Sequence, residues 1–333
     1  MNYADNRLTS NVNLIILSCN YFESDDELLK EKKGFKGPLM LTVTAAIWGF
    51  AFVAQDVGMD FVGPITFNGV RFFIGAAVLV PVIIIFNIIR AKKGEKNVSG
   101  GFKSVLKASL CCGTLLFIAS TLQQIGIKYT SAGKAGFVTA MYIVLVPLLG
   151  IFLKRKTTVL TWLAIAVAVV GLYFLCINEQ LRISTGDLLV LVASLFWAVQ
   201  ILTIDHFADK VDCLKLACGE FFVSGLFSLP LMLAFEKVTA PSLYACAVPL
   251  AYAGLLSCGV AYTLQPVGQK YTAPTLASLI MSLESVFAVL GGFLFLNETL
   301  TLRELLGCGL LLGAVVLAQI PAGNLKKSSE NGI

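Results

Sequence analysis

Two residues invite a chemical reading first. Glu284 sits twelve residues into the apolar run 273–296, close to its middle. Tyr142 stands 142 residues earlier, in a second apolar run, 131–153. An ionisable side chain at such a depth is costly, so it faces a cavity or a partner. For Glu284 this means binding a proton, meeting a substrate amine, or serving as a structural carboxylate hydrogen-bonded to a neighbouring helix. Tyr142 carries a polar hydroxyl on an apolar body, suited to packing with the hydroxyl satisfied or to lining the same site. Around these two we place Trp48 and Trp197 as cavity walls or packing, and Gln123 and Gln265 as neutral donors and acceptors, with Gln124 and Gln200 of the same kind. Interhelical hydrogen bonding is an equal use for such amides. Arg71 is the candidate cation, for substrate, gate or salt bridge. Its counterpart Glu220 is expected at the other side of the molecule, out of reach of Arg71. Lys134 reads as an interfacial, snorkelling side chain.

The elements that hold these residues follow from composition. Of 333 residues, 57% are hydrophobic and 14% charged, against roughly 45–50% and 25% in soluble domains. Mean hydropathy is +0.83. The apolar residues come in long runs at 39–57, 66–89, 104–127, 131–153, 159–177, 187–204, 214–235, 244–267, 273–296 and 303–320. A helix needs about 20 such residues to cross the hydrocarbon layer, and a crossing must be helical to satisfy its own backbone. The sequence therefore predicts an all-α polytopic membrane protein with ten transmembrane helices. Short connections predict that consecutive helices are antiparallel neighbours. With the N-terminus inside, one set of flanking segments carries 17 Lys and Arg and the other 4. Positive charge favours the cytoplasm, so both termini are expected there, with the chain integral to the cell membrane. The net charge of +5 reflects this topology and does not point to nucleic acid.

The chain also repeats itself. TLQQIGIKYT at 121–130 returns as TLQPVGQKYT at 263–272, with seven of ten positions identical. The 142-residue offset pairs Ala135 with Ala277, Val144 with Val286 and Gly150 with Gly292. Upstream the offset is 149, pairing Trp48 with Trp197, Asp56 with Asp205, Phe72-Phe73 with Phe221-Phe222 and Pro81 with Pro230. The change falls in the basic loop 90–103, where an insertion is tolerated. Two five-helix repeats are predicted, 37–178 and 185–321. Five is odd, so the second enters the membrane inverted, an architecture of secondary transporters. The repeated phrase then closes one helix and opens the next: Gly126 and Gly268 for the tight end, Thr130 and Thr272 as N-caps, Pro274 in the first turn. Pro81, Pro147 and Pro230 are expected to interrupt span backbones.

AAIWGFAFVAQ, RFFIGAAVL, LQQIGIKYTSAGKAGFVTAMYIVLVPLLG, LQPVGQKYTAPTLASLIMSLESVFAVLGGFLFLNETL and GCGLLLGAVVLA, in that order, resemble the EamA-type transporters of the drug/metabolite transporter superfamily. The resemblance spans roughly residues 37–322. It implies ten helices as an inverted duplication, export or exchange of small metabolites such as amino acids, and peripheral fifth and tenth spans. A homodimer is implied by analogy alone. The acidic residue often found after span 4 is Lys156 here, while Glu298 keeps it after span 9. The proline common in span 9 is Ser285.

The expected function is a secondary transporter working by alternating access on a small-molecule metabolite, with proton coupling through Glu284. Uncoupled facilitation, or a non-transporting scaffold or lipid-handling subunit, are the alternatives. The lone His206, read as lying in a loop, and nine Cys without paired CxxC spacing offer no metal set. No phosphate-binding loop is present, so no cofactor and no enzyme activity are expected. Residues 1–36 read as a disordered cytoplasmic tail, and 322–333 as a short second one. ILSC at 16–19 is rejected as a lipoprotein cleavage site, because the apolar region before it is too short.

Overall fold

The computed structural model describes residues 35–92, 101–129, 132–176, 184–295 and 301–319. The tail expectations, the Thr130 cap and Glu298 lie outside these residues, apart from the tail's last two residues. No strand occurs among the described residues. The helices are α1 (Lys36–Met59), α2 (Pro64–Lys92), α3 (Phe102–Ile127), α4 (Ala132–Thr139), α5 (Tyr142–Phe152), α6 (Val159–Cys176) and α7 (Thr185–Ala208). Then come α8 (Cys213–Phe235), α9 (Ala240–Ala245), α10 (Ala247–Ala251), a π-helical segment (Tyr252–Ala261), α11 (Tyr262–Lys270), α12 (Pro274–Met281), α13 (Glu284–Phe295) and α14 (Leu302–Ala318). Among the described residues eight helical stretches are long and apolar enough to cross a membrane; α6 is a shorter apolar helix, and it packs on α14.

Several helix starts are fixed by side chains. Ser184 and Asp187 form a reciprocal capping box at α7, with Asp187 N donating to Ser184 Oγ at 3.1 Å and Ser184 N to Asp187 Oδ2 at 2.7 Å. Asp212 Oδ1 caps α8, accepting from the backbone N–H of Leu214 and Lys215. The start of α2 is capped from elsewhere: Glu236, just past α8, accepts from Ile65 N at 2.9 Å and Thr66 N at 2.7 Å. A carboxylate there meets free N–H groups and the positive end of the helix dipole. Thr272 does not cap α12. The N-cap is Ala273, without a side-chain bond, and Thr272 Oγ1 is buried against Gly37 without a hydrogen-bond partner. Pro274 does occupy the first turn.

Two apolar crossings are broken in the middle, and not at proline. Pro81, Pro147 and Pro230 lie inside unbroken helices. The breaks fall at Ala140–Met141 and at Ser282–Leu283, which are 142 residues apart. Each tightens into i→i+3 bonds, Met141 N to Val138 O at 3.2 Å and Leu283 N to Ile280 O at 3.1 Å. Tyr142 and Glu284 therefore each open a half-helix, α5 and α13.

The most extensive packing joins helices distant in sequence, not the consecutive neighbours that short loops suggested: α6 with α14, α3 with α7 and α8, α2 with α8, and α1 with α13 and α11. Glycines allow this close approach. A Cβ on Gly186 would come 2.7 Å from the Gly126 carbonyl oxygen, and one on Gly268 would come 3.3 Å from that of Gly37. Gly126 and Gly268 belong to the two copies of the repeated phrase, so each copy brings its glycine against the start of a remote helix. In lipid, such packing draws on van der Waals contact between backbones that small residues let approach.

Candidate functional site

One cavity is lined by α1, α2, α3, α4, α5, α7, the π segment, α11, α12 and α13. All seven residues singled out from the sequence line it: Glu284, Tyr142, Trp48, Trp197, Gln123, Gln265 and Arg71. At its centre the Tyr142 hydroxyl donates to Glu284 Oε1 at 2.9 Å, joining the two half-helix starts. Both side chains are nearly buried. Glu284 also stands in the first turn of α13, where backbone N–H groups favour a carboxylate.

The two tryptophans occupy equivalent positions but different circumstances. Trp197 Nε1 donates to Gln123 Oε1 at 3.0 Å, and Gln123 Nε2 donates to Thr139 Oγ1 at 3.3 Å. Gln123 is thereby held at both ends. Trp48 Nε1 and Gln265 Oε1, the residues in register with that bond, are both buried without hydrogen-bond partners. Trp48 packs on Tyr262, with ring centroids 4.7 Å apart.

Arg71 does not face the surface. It is 4% exposed, with its guanidinium over the rings of Phe67 at 5.7 Å and Phe72 at 5.0 Å, and its Nε lacks a partner. Nor is Glu220 remote from it in level: Phe72 and Phe221, the next residues along, stack at 6.0 Å and 9°. Expecting them on opposite sides was wrong, because the halves meet face to face at α2 and α8. Snorkelling is excluded for both by their burial, and neither makes an ion pair among the described residues. Gln124 is fully buried off the cavity. The side chain of Lys134 lies outside the described set. His206 is in the last turn of α7, not in a loop.

Sequence reasoning missed Phe52, Gln55, Thr139, Ile201, Ser257, Tyr262 and Met281 as cavity residues, and named Gln200 only in passing. Phe52 and Gln55 follow Trp48 by four and seven positions, so helical periodicity from Trp48 finds them. Gln200 follows Trp197 by three in the same way. Ser257 lies in the π segment, whose geometry no sequence pattern announced. No group of His, Cys, Asp or Glu that could hold a metal ion occurs among the described residues.

The profile of the EamA-like transporter family matches this chain over residues 35–177 and again over 184–319. The chain belongs to the EamA-like transporter family. A relative from Archaeoglobus fulgidus, called an uncharacterized transporter, is 30% identical over 96% of both chains. The threonine/homoserine exporter RhtA of Escherichia coli is 29% identical over 49% of this chain and 55% of its own. A solved structure covering 87% of this chain and 98% of its own superposes with a TM-score of 0.70 at 17% identity, a likeness of fold. Within the family frame, this protein is an integral membrane transporter in which Glu284, Tyr142, Arg71, Gln123 and Gln265 line a common cavity.

Proposed function

We propose that this EamA-like protein is a permease that exports or exchanges an amino-acid-sized metabolite across the cytoplasmic membrane by alternating access. The observation that carries this reading is the Tyr142–Glu284 hydrogen bond at 2.9 Å, made between two broken helices inside a cavity that also holds Arg71. One carboxylate, one guanidinium and several neutral amides suit a ligand bearing an amine and an acid group. Trp48, Trp197 and Tyr262 supply apolar walls. On this reading the chain crosses the membrane ten times, as two inverted repeats at 37–178 and 185–321. Supporting it are the double match to one family profile and the matched breaks. The Lys and Arg bias supports a cytoplasmic side for both termini.

Alternating access then has a definite form. Inverted halves exchange conformations when the site turns from one side to the other. The Trp197–Gln123 bond breaks in the opposite state, and the equivalent Trp48–Gln265 bond forms. Glu284 binds the ligand amine or the coupling proton. A second reading, uncoupled facilitation with Glu284 structural, draws on Glu284 having Tyr142 as its own partner. A polar cavity weighs against a scaffold without a solute path.

The test is an extracellular metabolite profile from bacteria carrying the wild type, Glu284→Gln or an empty vector, at matched membrane levels. Accumulation of a small set of metabolites with the wild type alone supports the coupled reading. Equal export by wild type and variant supports facilitation. No difference from the vector over a broad panel overturns export.

A further inference from the structure

Glu220 is a buried ionisable group that the cavity does not use. It lies in α8, is fully buried, and does not line the cavity. Neither carboxyl oxygen makes a hydrogen bond of ordinary geometry, and no cation pairs with it among the described residues. Its surroundings come from every element packed near it. The Gln200 side chain of α7 lies beside it. Cys112 of α3, Cys258 of the π segment and Tyr262 of α11 are within its electrostatic reach. Arg71 of α2 reaches Cys258 and Tyr262 from elsewhere, and Glu284 also reaches Tyr262. Tyr262 is thus ringed by one cation and two carboxylates. If all three were ionised, the cluster would carry one uncompensated negative charge in the bundle interior. An unpaired carboxylate there is costly, and one proton removes the cost. Glu284 has the Tyr142 hydroxyl and an open face on the cavity; Glu220 has neither.

We propose that Glu220 is a proton-binding site of the transport cycle, separated from the cavity by the side chain of Gln200. Gln200 lines the cavity on one side and on the other stands beside Glu220, its nearest polar neighbour, with no second partner of ordinary geometry to hold its amide. Rotation of that side chain opens Glu220 to the cavity. Charge balance then sets the exchange. A ligand of net positive charge on Glu284 makes the Glu220 proton the excess charge. The proton leaves to cavity water, and Glu220 remains as carboxylate. A zwitterion brings no net charge and leaves the proton in place. The link to transport rests on the function proposed above; the proton on Glu220 does not.

The test needs no ligand. Dicyclohexylcarbodiimide, an apolar reagent, adds to carboxylic acids and not to carboxylates. The carboxyl proton passes to a reagent nitrogen, the oxygen bonds to its central carbon, and an acyl shift leaves a stable N-acylurea. Purified full-length protein in liposomes is treated at about pH 6 to about pH 9 and mapped by mass spectrometry. Labelling at Glu220 at neutral pH, where an ordinary exposed carboxyl is ionised and unreactive, is expected. No labelling at Glu220 at any pH overturns the proposal. As a second measurement, Glu220→Gln replaces a neutral acid by a neutral amide, so the melting temperature is expected within about 3 °C of the parent. A drop well beyond that shows an ionised, structurally held carboxylate and also overturns it. Labelling of Glu220 in a protein that exports nothing keeps the proton site and removes the transport reading.

Discussion

Trp197 with Gln123, and Trp48 with Gln265, are the same pair of residues met twice. One pair makes its hydrogen bond at 3.0 Å. The other leaves both a donor and an acceptor buried and unsatisfied. Sequence and register are equivalent, so the difference is one of packing. α7 lies against an ordinary α-helix, α3, whereas α1 lies against the π segment and α11. Hydrogen bonds from Thr44 Oγ1 to Ala261 O at 3.2 Å and from Tyr252 Oη to Ile47 O at 3.1 Å tie α1 to that altered backbone. Other paired features are alike in both halves, the glycine contacts and the helix breaks among them. The asymmetry includes the cavity wall, where the proposed cycle would exchange it.

The largest effects should come from breaking what the halves share. Gly186→Leu and Gly37→Leu each drive a side chain into a remote helix, where a Cβ on Gly186 already meets backbone at 2.7 Å. Overpacking of this kind costs about 1–3 kcal/mol or more. Both variants should lose most folded yield in fluorescence-detected gel filtration, and equally; survival of one alone breaks the equivalence of the two contacts.

Next is the joint between the broken helices. Tyr142→Phe leaves Glu284 Oε1 without its 2.9 Å donor, which costs about 1–3 kcal/mol. Thermal unfolding should register the loss, while Glu284→Gln, which still accepts from Tyr142, should unfold closer to the parent. The reverse order would show that the bond does not link the halves.

A subtler pair sharpens the tryptophan comparison. Trp197→Phe removes a made hydrogen bond, worth about 1 kcal/mol, while Trp48→Phe removes none and should be nearly silent in stability. If the bonds alternate, the two variants bias the cavity in opposite senses. A cysteine placed at Gln55 reports this through membrane-impermeant thiol labelling in right-side-out and inverted vesicles. Shifts in the same sense for both variants refute the exchange.

The smallest effect is expected at the helix ends. Arg155 pairs with Asp205 at 2.7 Å and Lys270 with Asp209 at 3.8 Å, while Arg90 pairs with Asp212. The two arginines and Lys270 are about one-third exposed, and pairs of that kind are worth about 0–1 kcal/mol. Lys270→Gln should move the melting temperature by no more than about 2 °C, less still in high salt.

Much of the site was legible because charge in lipid is conspicuous. Glu284 stood out by its depth, and the offset led from it to Tyr142. The same offset linked Trp48 to Trp197 and Gln123 to Gln265. Arg71 and Glu220 were found as residues but misplaced, because a position along a span does not say which face the helix turns to its neighbour. Thr139 and Tyr262 gave little signal, since neutral polar groups sit in apolar runs at small cost, and Gln55 shows only through its helical spacing from Trp48. The breaks at 140–141 and 282–283 gave none, because proline was the expected cause and both arise without it.

By itself, the sequence determined the all-helical membrane class, the internal repeat and the identity of the buried charges. Those follow from composition and from burial costs that each segment bears alone. Which tryptophan is bonded, where the helices break, and that Glu220 stands behind Gln200 were decided only by the tertiary structure. They depend on contacts between helices far apart in the chain, and a hydrogen bond made or left open across such a contact leaves no mark on either segment.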